Sequence, residues 1–148
     1  MRLVQTVCIG VMLLLSSVHL WGQAPSLGNW RTFDDVTGKT KSVVSLSEEG
    51  GKLVGTIRKV YDLYPKEVQP ICTACEGQLK NKPIVGMRIL WDSQKDKDAW
   101  TNGKILDPDT GQIYRCVLSV EDNGNRLKVR GFIGMSLFGR TQYWLREK

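Results

Sequence analysis

Histidine is almost missing from this chain: His19 is the only one in 148 residues. It sits in an N-terminal stretch built like a secretory signal peptide, in which Arg2 precedes the apolar run Val7–Leu15 and small and polar residues lead to Trp21-Gly22-Gln23-Ala24. Removal of this leader, residues 1–23, leaves a domain without an imidazole. Histidine-based triads and histidine zinc sites are then excluded, together with the side chain best suited to proton transfer near neutral pH. Long hydrophobic runs are also missing. The leader's own run is too short to cross about 30 Å of hydrocarbon, so no transmembrane segment is expected once it is cut. No cysteine stands at the boundary to accept a lipid. Blocks of like charge are absent too. Against 15 acidic residues there are 21 basic ones, a formal net charge of +6, and losing Arg2 lowers this by one to +5. The surplus is spread along the chain, which describes a solvated basic surface and argues against a nucleic-acid groove. Nonspecific peripheral contact with an anionic cell envelope stays open.

What the chain does have is strand patterning. Trp100–Val120 reads as a β-hairpin, with apolar arms around Asp107-Pro108-Asp109-Thr110-Gly111, where Pro108 fixes φ and Gly111 permits a left-handed conformation. In its second arm Tyr114, Cys116, Leu118 and Val120 alternate with Ile113, Arg115, Val117 and Ser119, the period of a sheet with one buried face. Before it, Ser26–Phe33 reads as a first strand led in by a glycine, with Trp30 and Thr32 on one face. Asp34–Lys39 is a turn with the same Thr-Gly ending as the later loop. Ser42–Leu46 and Leu53–Tyr61 follow, separated by Gly50-Gly51, and Gly55 suggests a bend or bulge. From Asp62 to Pro83 the pattern lapses, with a short helical turn expected around Ala74–Leu79. It returns at Ile84–Trp91, where Val85, Met87, Ile89 and Trp91 share a face, and a charged loop Asp92–Asp98 leads into the hairpin. After an Asn-Gly turn, Leu127, Val129, Gly131 and Ile133 alternate with Arg126, Lys128 and Arg130. Gly134–Arg140 breaks the alternation, and Thr141–Arg146 is the last strand. Eight short strands joined mainly by tight turns predict an all-β, single antiparallel up-and-down barrel over residues 26–148, since closure removes the exposed edges. No second domain or repeat is visible.

Cys72, Cys75 and Cys116 remain after the leader. The Cys72-Thr73-Ala74-Cys75 pair admits three readings. A redox site of thioredoxin type needs a helix start in a βαβ unit, and a zinc knuckle needs a second ligand pair. A local disulfide, as expected of an exported protein, is the reading taken, with redox and metal chemistry as its alternatives. Cys116 is on the apolar face of its strand and is expected to be a buried free thiol. Asp107 and Asp109 superficially suggest a calcium loop, but a third oxygen position and the bidentate glutamate are lacking; aspartates bonding the turn's own amides explain them better.

The Gly28-x-Trp30 opening of an eight-stranded meander with late arginines resembles the calycin pattern of lipocalins, in which an arginine covers the first-strand tryptophan and closes the barrel. By that resemblance Trp30 pairs with Arg146, or failing that with Arg140. The segments Gly103–Tyr114 and Leu127–Trp144 are similar to the two signature blocks of the bacterial domain-of-unknown-function family 2147, small exported proteins. The likeness runs over nearly all of Gly28–Arg146, and it implies a lipocalin-like barrel and an apolar ligand. It implies no catalytic residue.

The expectation is therefore an exported, periplasmic or extracellular, non-enzymatic β-barrel that binds a small apolar or amphipathic ligand, with no metal or other cofactor. The alternative is an envelope structural or interaction module with a filled core. Trp91, Trp100 and Tyr114 are the candidate cavity-lining aromatics, and Met135, Leu137 and Phe138 the candidate lip. The same residues also fit a packed core and a plug over the barrel end. An enzyme ranks last, because no nucleophile is paired to a base.

Overall fold

In the computed structural model, residues 25–61 and 68–148 are described; the leader read at 1–23 lies outside them. The strands are β1 Gly28–Phe33, β2 Thr40–Glu49, β3 Lys52–Val60, β4 Arg88–Asp96, β5 Ala99–Leu106, β6 Ile113–Glu121, β7 Arg126–Phe132 and β8 Gly139–Arg146. Each pairs antiparallel with the next, and β8 returns to β1 through Trp30 opposite Arg146 and Arg31 opposite Leu145. The sheet is thus a closed eight-stranded barrel, as the meander predicts. Among the described residues the only helical pieces are two three-residue 3-10 turns, at Gly77–Leu79 and Asp122–Gly124, and no helix is long and apolar enough to cross a membrane.

Alternation sets which side chains enter the barrel. Trp30, Val44, Leu46, Leu53, Trp100, Cys116, Leu118, Leu127 and Trp144 are all essentially inaccessible and form one cluster. Burying a side chain of this size contributes about 1.5–3 kcal/mol before the entropy cost of ordering it. Gly55 sits where the β3–β4 register shifts. A Cβ there would lie 2.9 Å from both Leu46 Cδ2 and Leu90 Cβ, so the absent side chain is what lets the sheet bend inward.

The two loops ending in Thr-Gly close in the same way. Gly38 N–H donates to Asp34 C=O at 2.8 Å and Asp34 N–H to Lys39 C=O at 2.9 Å; Gly111 N–H donates to Asp107 C=O at 2.8 Å and Asp107 N–H to Gln112 C=O at 2.9 Å. In each loop the leading aspartate also accepts backbone amides, those of Val36 and Thr37 on Asp34 and that of Asp109 on Asp107. The carboxylates of Asp34 and Asp107 therefore hold their own turns.

Three stretches depart from the alternation read in the sequence. Residues 84–87 form a turn, with Met87 N–H donating to Ile84 C=O and Gly86 at φ +91°, so β4 begins only at Arg88 and Val85 is exposed. Asp92 adopts φ +63°, and the inward set changes to Leu90 and Ser93, leaving Trp91 opposite the exposed Lys104. The supposed loop Asp92–Asp98 is strand as far as Asp96, and only Lys97-Asp98 turns, with Lys97 at φ +52°. Ile133 lies beyond the end of β7, next to Gly134 at φ +68°, and is exposed.

Candidate functional site

The two barrel ends differ. At one end the connections are short, and the segment Pro25–Leu27 ahead of β1 meets Trp30, Trp100 and Arg146. Arg146 fastens this floor: its Nε donates to Gly124 C=O at 2.6 Å, its Nη1 to Leu27 C=O at 3.0 Å and its Nη2 to Pro25 C=O. The guanidinium carbon lies 4.2 Å from the Trp30 ring centroid, a distance at which the cation meets the negative face of the indole. Trp30 Nε1 donates to Ser26 C=O at 2.9 Å, and Trp100 Nε1 donates to Ser26 Oγ at 2.9 Å. Trp100 therefore belongs to the floor.

The opposite end holds a cavity of about 110 Å³. Its walls include Phe33, Ile57, Val60, Ile84, Ile89, Ile105, Leu106, Tyr114, Val129 and Trp144. Polar groups are few and placed. Thr32 and Ser42 share a hydrogen bond of 2.7 Å between their hydroxyls, and Trp144 Nε1 donates to Gln142 Oε1 at 3.3 Å. Two cations stand at the rim, each already paired: Lys41 with Asp109 at 2.5 Å and Arg140 with Asp35 at 2.8 Å. Gln142 also donates to both Asp35 oxygens. Such a space suits a compact apolar molecule or one end of an amphipathic one, being smaller than the roughly 300–1,000 Å³ of pockets for drug-sized ligands.

One side of the mouth is braced by the β3–β4 connection. Cys72 and Cys75 form a disulfide, both buried, and Cys72 Sγ lies 3.1 Å from Pro108 C=O. Gly111, at φ +71°, faces Ala74: a Cβ on it would be 2.1 Å from Ala74 O. This loop can seat against the β5–β6 turn only because Gly111 has no side chain. The disulfide thus tightens a brace beside the cavity, and the helical turn expected around Ala74–Leu79 is limited to Gly77–Leu79.

Of the cavity aromatics proposed from sequence, Tyr114 lines the space, whereas Trp91 and Trp100 do not. Trp91 is half-buried against the core cluster, displaced from the wall by the left-handed backbone at Asp92. Trp100 faces inward at the wrong height, beside Ser26. Met135, Leu137 and Phe138 are 66, 78 and 75 % exposed and are outside the lining; they form the tip of the β7–β8 connection, next to the rim residue Arg140. The aliphatic wall residues and the Thr32–Ser42 pair were not singled out from sequence. Cys116 is a free, fully buried thiol, and burial pushes it up to about 12, with the Ser93 hydroxyl offsetting part of that rise. Among the described residues no group of three or more His, Cys, Asp or Glu is placed to hold a metal ion.

Residues 28–146 match a family model described as "Uncharacterized protein conserved in bacteria (DUF2147)". No curated protein matches the chain. Among solved structures, the chain is similar to protein HP1028 from Helicobacter pylori, which is described as belonging to the lipocalin family. Identity is 22 %, the alignment covers 82 % of each chain and the TM-score is 0.71.

Proposed function

The chain belongs to the bacterial domain-of-unknown-function family 2147, and from that premise and the shape of its barrel we propose that it is a non-enzymatic carrier of a small apolar or amphipathic molecule. The observation that carries this reading is the apolar cavity at one end of a barrel whose other end is occupied by Trp30, Trp100, Ser26 and Arg146. Ile57, Ile89, Ile105 and Val129 would take the apolar part of the ligand, and the Thr32–Ser42 hydroxyl pair or the Lys41 and Arg140 rim a polar end. The lipocalin description of the similar solved structure supports the same reading. A buried Cys116 held far from its thiolate is a poor nucleophile. The protein works outside the cytoplasm, in the periplasm or beyond the cell; the Cys72–Cys75 disulfide supports this, because such bonds persist in oxidising compartments.

Gly131 offers a clean test. It lines the cavity, and a Cβ on it would meet Tyr114 Cβ at an ordinary 3.6 Å. Gly131→Leu should fill the space while the barrel stays folded. In titrations with an environment-sensitive apolar fluorophore, the wild-type protein should bind saturably and the variant at least about tenfold more weakly, or about 1.4 kcal/mol. Absence of binding by the wild type, or equal binding by a folded Gly131→Leu, contradicts the proposal.

A further inference from the structure

Exposed apolar residues are distributed unevenly over this barrel. Among the described residues, all the large ones apart from Tyr143 and Leu145 lie on, or at the ends of, the four connections around the cavity mouth. Val36 on the β1–β2 turn is 93 % exposed, Val85 before β4 39 %, and Ile133, Met135, Leu137 and Phe138 on the β7–β8 tip 57 to 78 %. The opposite end is polar. Its turns carry Glu48, Glu49, Asp96, Asp98, Glu121 and Asp122, with Lys52, Lys97 and Arg126 between or beside them. A globular protein gains nothing in water from grouping its exposed side chains in this way.

Charge follows the same axis. Arg115 and Arg130 frame the β7–β8 tip: Arg115 lies over Phe132, the last residue of β7, and Arg130 Nη2 donates to Ser136 C=O at 2.6 Å within the tip itself. Neither is paired to a carboxylate among the described residues. Most described acids at this end are engaged, Asp35 by Arg140, Asp109 by Lys41, and Asp34 and Asp107 by the amides of their own turns, while Glu76 on the β3–β4 connection is exposed and unpaired among the described residues. An apolar tip framed by arginines, at the end remote from most unpaired carboxylates, has the chemistry of a surface that enters the boundary of an anionic bilayer.

We propose that the mouth end docks on an anionic lipid bilayer, with Leu137 and Phe138 entering the acyl boundary and Arg115 and Arg130 meeting lipid phosphates. The cavity then opens toward the membrane, so that a molecule dissolved there could pass between bilayer and barrel without crossing water. The docking surface is independent of whether the cavity is occupied.

The test is vesicle flotation of the chain beginning at Pro25, which holds the complete closed barrel, with phosphatidylglycerol-containing vesicles against pure phosphatidylcholine vesicles. A Leu137→Ser, Phe138→Ser double variant changes only exposed side chains, and Arg115→Gln probes the charge. The wild type should float with the anionic vesicles and bind the neutral ones at least about tenfold less. It should be released as added salt shortens the screening length from about 10 to about 3 Å. The double variant should lose about tenfold or more, while its binding of an apolar fluorophore in the cavity is unchanged; Arg115→Gln should lose severalfold. The proposal is overturned if the wild type floats with neither vesicle, if it floats equally with both, or if the double variant floats like the wild type. A concentration-dependent dimer abolished by the same double variant would also overturn it, since the tip would then face a second copy of this chain.

Discussion

Arg146 shows how much one side chain can hold. A single guanidinium near the C-terminal end caps three carbonyls, two from the segment ahead of β1 and one from the β6–β7 turn, and it covers the Trp30 ring. Replacing it with Met keeps most of the volume but removes the donors and the cation. Arg146→Met should therefore lower the unfolding free energy in urea by about 2–4 kcal/mol; a loss under about 0.5 kcal/mol, the scale of an ordinary surface substitution, would mean that it does not close the floor. Asp34 gives a pH signature. The Thr37 amide, then the Thr37 hydroxyl, hold its carboxyl below its ordinary 3.8. A carboxyl that is more acidic in the folded state than in the unfolded chain adds stability above its ordinary value, and this is lost as pH falls through the lower folded value. Thermal melts of wild type and Asp34→Ala should therefore differ most above pH 4 and converge in stronger acid. A difference that does not shrink on acidification would contradict the role of the carboxylate.

At the scale of elements, the strands and tight turns were legible because alternation, Asn-Gly and Thr-Gly signals are local. What escaped the sequence depends on backbone twist. Nothing in the letters around Asp92 marks a left-handed residue, yet that one angle removes Trp91 from the wall. Ile84–Met87 has apolar spacing that fits a strand and is nonetheless a turn. Height along the barrel axis was equally hidden. Trp100 and Tyr114 both point inward, but alternation separates in from out and says nothing of floor against mouth, which the pairing register decides. The Cys72–Cys75 brace is an element whose contribution can be separated from the core. The ring is small, so Cys72→Ser with Cys75→Ser should cost only about 2 kcal/mol while releasing the contact on the β5–β6 turn. Hydrogen exchange at Gly111 and Gln112 should then accelerate well beyond the change in β7. Uniform acceleration through the barrel would show instead that the disulfide stabilises the whole domain.

For the molecule as a whole, the barrel is polarised along its axis. Indoles, Ser26 and Arg146 fill one end, while the other keeps a small apolar space, a paired ionic rim and an apolar tip. Overall topology was readable because consecutive hairpins leave closure as the way to satisfy both edges. The cavity was readable only as a consequence of that closure, since its volume depends on how far the tryptophans at the floor fill the interior. The central claim is that this space carries a molecule. Native mass spectrometry of the protein, expressed as the full 148-residue chain in a bacterial host and purified under mild conditions, tests it most directly. The account predicts a one-to-one adduct of a small amphipathic or apolar compound that disappears in Gly131→Leu. A bare polypeptide mass under conditions that preserve such complexes, or an adduct retained by the folded Gly131→Leu variant, would contradict it.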